Sequence, residues 1–283
     1  MERYLEREFK YTDSDYYRLS KLAHKHAGIN FMEAKRELVY GRLQKRVRFH
    51  NMKSFKQYCD YLEGDDNSNE MKHFINAITT NVTSFFRENH HFEYLQNVIF
   101  PEIQLENKGA VKRAMRIWSA GCSSGKEPYS IAMVLRECIP DLDSWDAKIL
   151  ATDLDSDILA VAKEGVYPAD QMDGVSPDRR KRWFKRGQGA NEDTVRIDAA
   201  VRNLVHFRQL NLIGDWPMKG QFDCVFYRNV AIYFARESQI QIVDRIANYI
   251  KPGGYLVVGH SESLFGVTNR FESIGHTIYR KIA

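Results

Sequence analysis

Apolar residues recur at helical spacing from residue 13 to about residue 104, with almost no strand-like alternation. Within that stretch Met32, Val39, Leu43 and Val47 share one face at about 100° per residue, which predicts a helix from about Asn30 to about His50. Asn30-Phe-Met-Glu33 has capping-box spacing at its start. Gly64-Asp-Asp-Asn-Ser-Asn69 reads as a loop and residues 106–114 as a linker. From Met115 the pattern changes. Strand-like runs at 115–119, 147–152, 203–210, 222–227, 254–259 and 276–282 enclose helical stretches at 128–138, 155–164 and 236–250. That order predicts an α/β fold, a mostly parallel sheet with helices on both faces. Residues 173–202 interrupt it, and Gly187-Gln-Gly-Ala-Asn-Glu-Asp193 between Trp183-Phe184 and Val195-Arg-Ile197 reads as the tip of a small inserted hairpin. The expected organisation is a helical domain over 1–90, a connecting helix and linker over 91–114, and an α/β domain over 115–283.

Composition narrows the class. No apolar run approaches the length of a membrane helix, and the start, Met-Glu-Arg-Tyr-Leu-Glu-Arg-Glu, is too charged for a signal peptide. Cys59, Cys122, Cys138 and Cys224 are scattered, without metal-ligand spacing, and read as reduced thiols of a cytoplasmic protein. His90-His91 is the only adjacent histidine pair and no HExxH accompanies it, so no metal is expected. Net charge is +4 but uneven: residues 1–64 hold 14 Lys+Arg against 9 Asp+Glu, the remainder 27 against 28. Arg42, Lys45, Arg46 and Arg48 fall away from the apolar face of the 30–50 helix, with Lys35, Arg36, Lys53 and Lys56 nearby. A solvated surface and a docking surface for an acidic partner both fit that cluster.

Candidate chemistry lies at the strand ends, where ligands of such sheets bind. Gly121-Cys-Ser-Ser-Gly125-Lys126-Glu127 has three residues between its glycines, one short of a P-loop, and lacks the following Ser/Thr; GxGxxG is also absent. Asp153, ending Ala-Thr-Asp-Leu-Asp155, is placed to accept from both hydroxyls of a ribose or to cap the next helix. A glycine loop and a ribose acid without a phosphate site suggest a phosphate-free nucleoside, S-adenosylmethionine being the common one. Asn211-Leu212 ends the third strand, on the adenine side, and Tyr227-Arg228-Asn229-Val230 ends the fourth, where a methyl donor's reactive carbon would lie.

Thr79-Thr-Asn-Val-Thr-Ser-Phe-Phe-Arg-Glu88 followed by His90-His-Phe92, Ser119-Ala-Gly-Cys-Ser-Ser-Gly-Lys-Glu-Pro-Tyr-Ser130, Ala151-Thr-Asp-Leu-Asp155, Arg228-Asn-Val-Ala-Ile-Tyr-Phe234 and Gly259-His-Ser-Glu-Ser263 resemble the motifs of the CheR-type chemotaxis receptor methyltransferases. The similarity runs from about residue 14 to the end. It implies S-adenosylmethionine-dependent esterification of receptor glutamates, with S-adenosylhomocysteine as product, a helical N-terminal domain, and a Rossmann-like domain carrying a small β-subdomain. It places cofactor contacts at Asn81, Thr83, Arg87, Glu127, Asp153, Asn211, Leu212, Arg228 and Asn229, and Arg87 and Tyr233 near the reacting groups. Glu127 is a candidate for the cofactor's ammonium group. The partners it implies are the cytoplasmic helices of chemoreceptors, for which the basic cluster Arg42, Lys45, Arg46 and Arg48 is the candidate docking face. In some members a receptor C-terminal pentapeptide is also held by the β-subdomain. A monomer without nucleic acid or membrane insertion is expected. Ala231 stands where many relatives carry a larger residue, often Met, and Tyr227 replaces a frequent Cys. Asp193 stands where tethering members carry another glycine. A nucleic-acid methyltransferase and a non-catalytic cofactor-binding protein are the alternatives. The basic helix lacks interleaved aromatic residues and the chain lacks an Asn-Pro-Pro-Tyr tetrad, both of which weigh against the first of these.

Overall fold

The computed structural model describes residues 7–31, 35–64 and 68–282. Two compact units emerge: residues up to Thr80 with Tyr233–Ala235, and Asn81–Ile232 with the chain from Arg236 onward. The division falls earlier than residue 90 because Phe85 and Phe86 are buried in the core of the second unit.

The first unit is helical. α1 (Asp13–Ala27) opens with a reciprocal cap: the Asp15 N–H donates to Thr12 Oγ1 at 3.3 Å and the Thr12 N–H donates to the Asp15 carboxylate at 2.9 Å. It ends at Gly28, whose φ of 69° is the left-handed conformation glycine adopts freely. α2 (Arg36–Phe49), α3 (Phe55–Glu63) and α4 (Ser68–Ile78) follow. Val39, Leu43 and Val47 are buried, as their periodicity predicts, in a core with Leu19, Phe55, Tyr58, Leu62 and Phe74. Met32 and Glu33, on which the expected capping box depends, lie outside the described residues, and α2 begins at Arg36. Ser68 and Asn69, expected in the loop, already belong to α4.

The second unit starts with the loop Asn81–Asn89, then α5 (His90–Tyr94), a π-helical turn at Leu95–Ile99, and α6 (Phe100–Glu106). The chain continues through β1 (Ala114–Ala120), α7 (Lys126–Cys138), β2 (Asp146–Asp153), α8 (Ser156–Glu164), β3 (Val166–Pro168), α9 (Pro177–Trp183), β4 (Phe184–Arg186), β5 (Thr194–Ile197) and α10 (Ala199–Arg202). It ends with β6 (Val205–Gln209), β7 (Phe222–Tyr227), α11 (Arg236–Tyr249), β8 (Ile250–Val258), β9 (Phe271–Gly275) and β10 (Ile278–Lys281).

The main sheet has the order β6-β2-β1-β7-β8-β10-β9, parallel except at β10, which runs antiparallel to both neighbours. Its central strands are apolar on both sides, with Ile117, Trp118, Ile149, Cys224, Val225, Phe226 and Val257 fully buried, as parallel strands covered on two faces must be. β3, β5 and β4 form a separate antiparallel sheet. That sheet begins at Val166, before the expected insertion, because Val-Tyr-Pro is too short to show a period.

Two further readings are corrected. The strand expected at 254–259 begins earlier, at Ile250, and takes in Lys251-Pro-Gly-Gly254: Phe222 pairs with Ile250 and Cys224 with Tyr255, so the extra residues bulge out where Gly253 has a φ of 74°. The last strand has an unforeseen partner, β9, joined through His276 and Thr277 at φ 54° and 59°. No helix among the described residues is long and apolar enough to cross a membrane.

Candidate active site

β1 turns toward β2 on one side of the sheet, and β7 lies on the other, so the strand order reverses between β1 and β7. The loops at their carboxyl ends flank the crevice where doubly wound sheets bind ligands. After β1 the chain turns sharply: the N–H groups of Gly121 and Cys122 both donate to the Thr152 carbonyl, at 2.8 and 2.9 Å. Gly121, Ser123 and Gly125 have φ of 85°, 49° and 85°. At Gly121 glycine is required twice over, since a Cβ would also lie 2.3 Å from Val230 Cγ2 in the loop after β7.

Asp153 ends β2 half-buried. Its Oδ2 accepts the Ser123 N–H at 2.7 Å and its Oδ1 accepts the Asp155 N–H at 3.0 Å. A carboxylate has about four lone-pair sites, so two remain for a pair of hydroxyls. Burial pushes its pKa above the ordinary carboxylate value, against the pull of those backbone N–H groups. Asp155, rather than Asp153, caps α8, accepting from the Asp157 and Ile158 N–H groups. Its Oδ2 also accepts from Asn81 Nδ2 at 2.7 Å, and Ser123 Oγ donates to the Asn81 carbonyl at 3.2 Å. Asn81 is thereby fixed beside the glycine loop.

A buried charge cluster completes the crevice. Arg228 Nη1 donates to Glu127 Oε2 at 2.9 Å, Nη2 donates to the Arg87 carbonyl at 2.5 Å, and Nη2 lies 3.3 Å from Glu88 Oε2. Arg228 Nε is buried without a partner. Glu127 also accepts from Ser119 Oγ at 2.8 Å. Burial pushes its pKa up, and the Arg228 charge opposes that. Burial works the same way on Glu88, but there the His260 hydrogen bond and Arg228 prevail and hold it at about 2. Asn229 sits at a φ of 59°, and its N–H donates to Glu262 at 2.8 Å. Glu262 also accepts from the N–H groups of Val230, Ala231 and Gly259 at 2.8–2.9 Å, so one buried carboxylate fixes the whole turn after β7.

The remaining expected residues are placed as follows. Thr83 and Arg87 are half-buried on the 81–89 loop, and Arg87 Nη1 donates to the Val82 carbonyl at 3.2 Å. Asn211 follows β6 and caps its own turn by accepting the Ile213 N–H, while Leu212 is buried. Tyr233 belongs to the first unit, where its carbonyl accepts the Asn30 N–H at 2.9 Å and Lys35 Nζ lies 5.4 Å from its ring centre.

The basic face of α2 differs from a row of free charges. Arg42 donates to the Ile78 and Thr79 carbonyls at 2.7 and 2.8 Å, tying down the end of α4. Arg46 makes a forked contact with buried Glu70, and Arg48 pairs with Glu8. Lys45 is exposed. Glu88 and Glu262 carry as much of the geometry as any expected residue, and both stand inside quoted motifs, Phe85-Phe-Arg-Glu88 and Gly259-His-Ser-Glu262. The His90-His91 pair, read as unrelated to metal, lies with Glu88 in a group whose ligand atoms are within 4.8 Å of one another.

A switch-point crevice lined by a glycine loop, an acid after β2 and a buried acid–arginine pair is the kind of site that an S-adenosylmethionine-dependent methyltransferase needs. Residues 81–280 match the SAM binding domain of the CheR methyltransferases, and residues 14–79 match their all-alpha domain. The chain is 40% identical over 255 residues to a probable chemotaxis protein methyltransferase of Rhizobium etli, covering 90% of this chain and 94% of that protein. It is 38% identical over 273 residues to chemotaxis protein methyltransferase 2 of Pseudomonas aeruginosa, covering 96% and 94%. To the chemotaxis protein methyltransferase of Escherichia coli it is 38% identical over 272 residues, covering 95% and 91%. The chain belongs to the CheR methyltransferase family.

Proposed function

We propose that this enzyme esterifies glutamate side chains on the cytoplasmic helices of chemoreceptors, taking the methyl group from S-adenosylmethionine and leaving S-adenosylhomocysteine. The observation that carries the reading is the crevice between β1 and β7, where Asp153 keeps two lone-pair sites open beside a glycine loop and the Glu127–Arg228 pair. Asp153 takes the ribose hydroxyls. Glu127 takes the ammonium group, and Arg228, whose Nε–H is buried without a partner, is paired with it. Asn81, Thr83, Asn211, Leu212 and Asn229 line the rest. When bound, the cofactor supplies a methyl group on a positively charged sulfur. A glutamate with a reference pKa of ~4.3 is ionised near neutrality, so no residue has to remove a proton. The protein's work is orientation and exclusion of water, with Arg87 assigned to a carboxylate of the substrate or of the cofactor.

The chemoreceptor docks on α2 through its solvent-facing charges, Lys45 and the half-exposed Arg48, with Arg42 and Arg46 shaping the helix rather than contacting the partner. β4 is an edge of the three-stranded sheet, and a receptor C-terminal pentapeptide adds there as a further strand. The protein works in the cytoplasm as a monomer. Incubation with methyl-labelled cofactor and either receptor-bearing membranes or RNA tests the reading. Label should enter receptor protein and leave as methanol in alkali, as a methyl ester does. Alkali-stable label, or label in RNA, overturns it.

A further inference from the structure

Glu88 is ringed by histidines. His260 Nδ1 lies 3.1 Å from Glu88 Oε1, His91 Nδ1 lies 3.6 Å from Glu88 Oε2, and the His90 ring is 4.1 Å from that of His91. His91 is fully buried. Its Nε2 lies 2.9 Å from the His276 carbonyl, which only accepts, so Nε2 carries the proton. Nδ1 therefore turns a lone pair toward a carboxylate oxygen. It has no hydrogen-bond partner, and 3.6 Å is too long for one. Two ligand atoms each about 2.0–2.1 Å from one tetrahedral ion stand about 3.4 Å apart. The His91–Glu88 separation fits that edge, and His90 brings a third ligand atom within reach.

We propose that Glu88, His90 and His91 bind a divalent transition-metal ion of the zinc type. Two imidazoles and one carboxylate favour such ions over magnesium or calcium. The second shell is already built: a ligating histidine needs its other N–H held by an acceptor, and the His276 carbonyl, with Thr277 Oγ1 at 3.0 Å, holds that of His91. Glu88 has freedom to turn. Its contacts from the His260 N–H at 3.1 Å and from Arg228 at 3.3 Å exceed the about 2.8 Å of a tight charge-assisted bond. Methyl transfer to an ionised carboxylate needs no metal, so the ion stands outside the reacting groups, and its occupancy draws Glu88 away from Arg228.

Tag-free, chelator-treated full-length protein titrated with Co2+ tests the site. Saturable binding of one ion per chain is expected, with visible absorption bands of a low-coordinate site that Zn2+ abolishes and Mg2+ does not. His90→Gln, at a half-exposed position, should weaken Co2+ binding about tenfold or more while leaving the metal-free thermal midpoint unchanged. Absence of saturable binding, equal affinity in His90→Gln, or equal competition by Mg2+ overturns the proposal. So does loss of binding in His260→Gln with retention in His90→Gln.

Discussion

Arg228 is where the charges of the crevice converge, because a fully buried guanidinium stands between two carboxylates, Glu127 and Glu88. Removing one partner of such a cluster leaves the others buried without compensation. Arg228→Met should therefore cost about 3–5 kcal/mol, and Glu127→Gln, which keeps an acceptor for the guanidinium, about 1–3 kcal/mol. Urea midpoints check this, and equal costs for the two variants would deny the asymmetry. At Asp153 an amide would turn an NH2 group onto either the Ser123 or the Asp155 N–H, both of which need an acceptor. Asp153→Asn should weaken S-adenosylmethionine binding by about tenfold or more, beyond its about 1–3 kcal/mol cost to the loop. Calorimetry on the folded variant reads the affinity, and an unchanged value removes the ribose assignment. Asp153 and the Arg228 segment were singled out because strand ends follow from the α/β pattern, whereas Glu127, inside α7, was picked out only through the resemblance to the CheR motifs. Glu88 and Glu262 were not singled out. Their partners are Arg228 and the backbone N–H groups of a turn, and the turn lies distant in sequence from both, so no spacing betrays them.

At the scale of elements, the loop after β1 is built by glycine conformation and close approach together. Gly121→Ala meets both obstacles, a φ of 85° and a Cβ placed 2.3 Å from Val230 Cγ2. It should destabilise by about 1–3 kcal/mol and push the β7 turn away from the crevice. Thermal denaturation together with cofactor affinity checks this. A variant with wild-type stability and affinity would show that the two loops yield independently. Strands with apolar runs were readable, as β1, β2 and β7 show, because burial on both faces makes their central positions, Ile117-Trp118, Ile149-Leu150 and Cys224-Val225-Phe226, a continuous apolar run. The β9–β10 hairpin was not, since a two-residue turn with positive φ at both positions is announced by Asn-Gly or Asp-Gly, and here it is made by His276-Thr277. Tertiary contact overrides local preference there: Thr277 Oγ1 donates to the Val258 carbonyl at 2.9 Å, and the His276 carbonyl accepts from His91.

At the scale of the whole molecule, the two units carry different reporters. All four tryptophans, Trp118, Trp145, Trp183 and Trp216, lie in the second unit, while the first is entirely helical among its described elements. The first unit holds Glu70 at 3% exposure between α2, α3 and α4, accepting from Arg46 Nε at 2.9 Å and Tyr58 Oη at 2.7 Å. Burial alone would raise its pKa, but the Arg46 contact and its other donors outweigh burial and lower it. The folded value thus lies below the ~4.3 of the unfolded chain. Above that value both states are ionised and the stabilisation is fully present. As pH falls through it the unfolded chain takes up its proton first, so stability drains away until the folded carboxyl is protonated too. The stability of the first unit should therefore fall on acidification between about pH 5 and 3, read as a loss of helical ellipticity. Glu70→Gln should start from a lower stability at neutral pH and show a shallower pH dependence over that range. If the variant and the wild type lose ellipticity with the same slope, some other carboxylate governs the acid response.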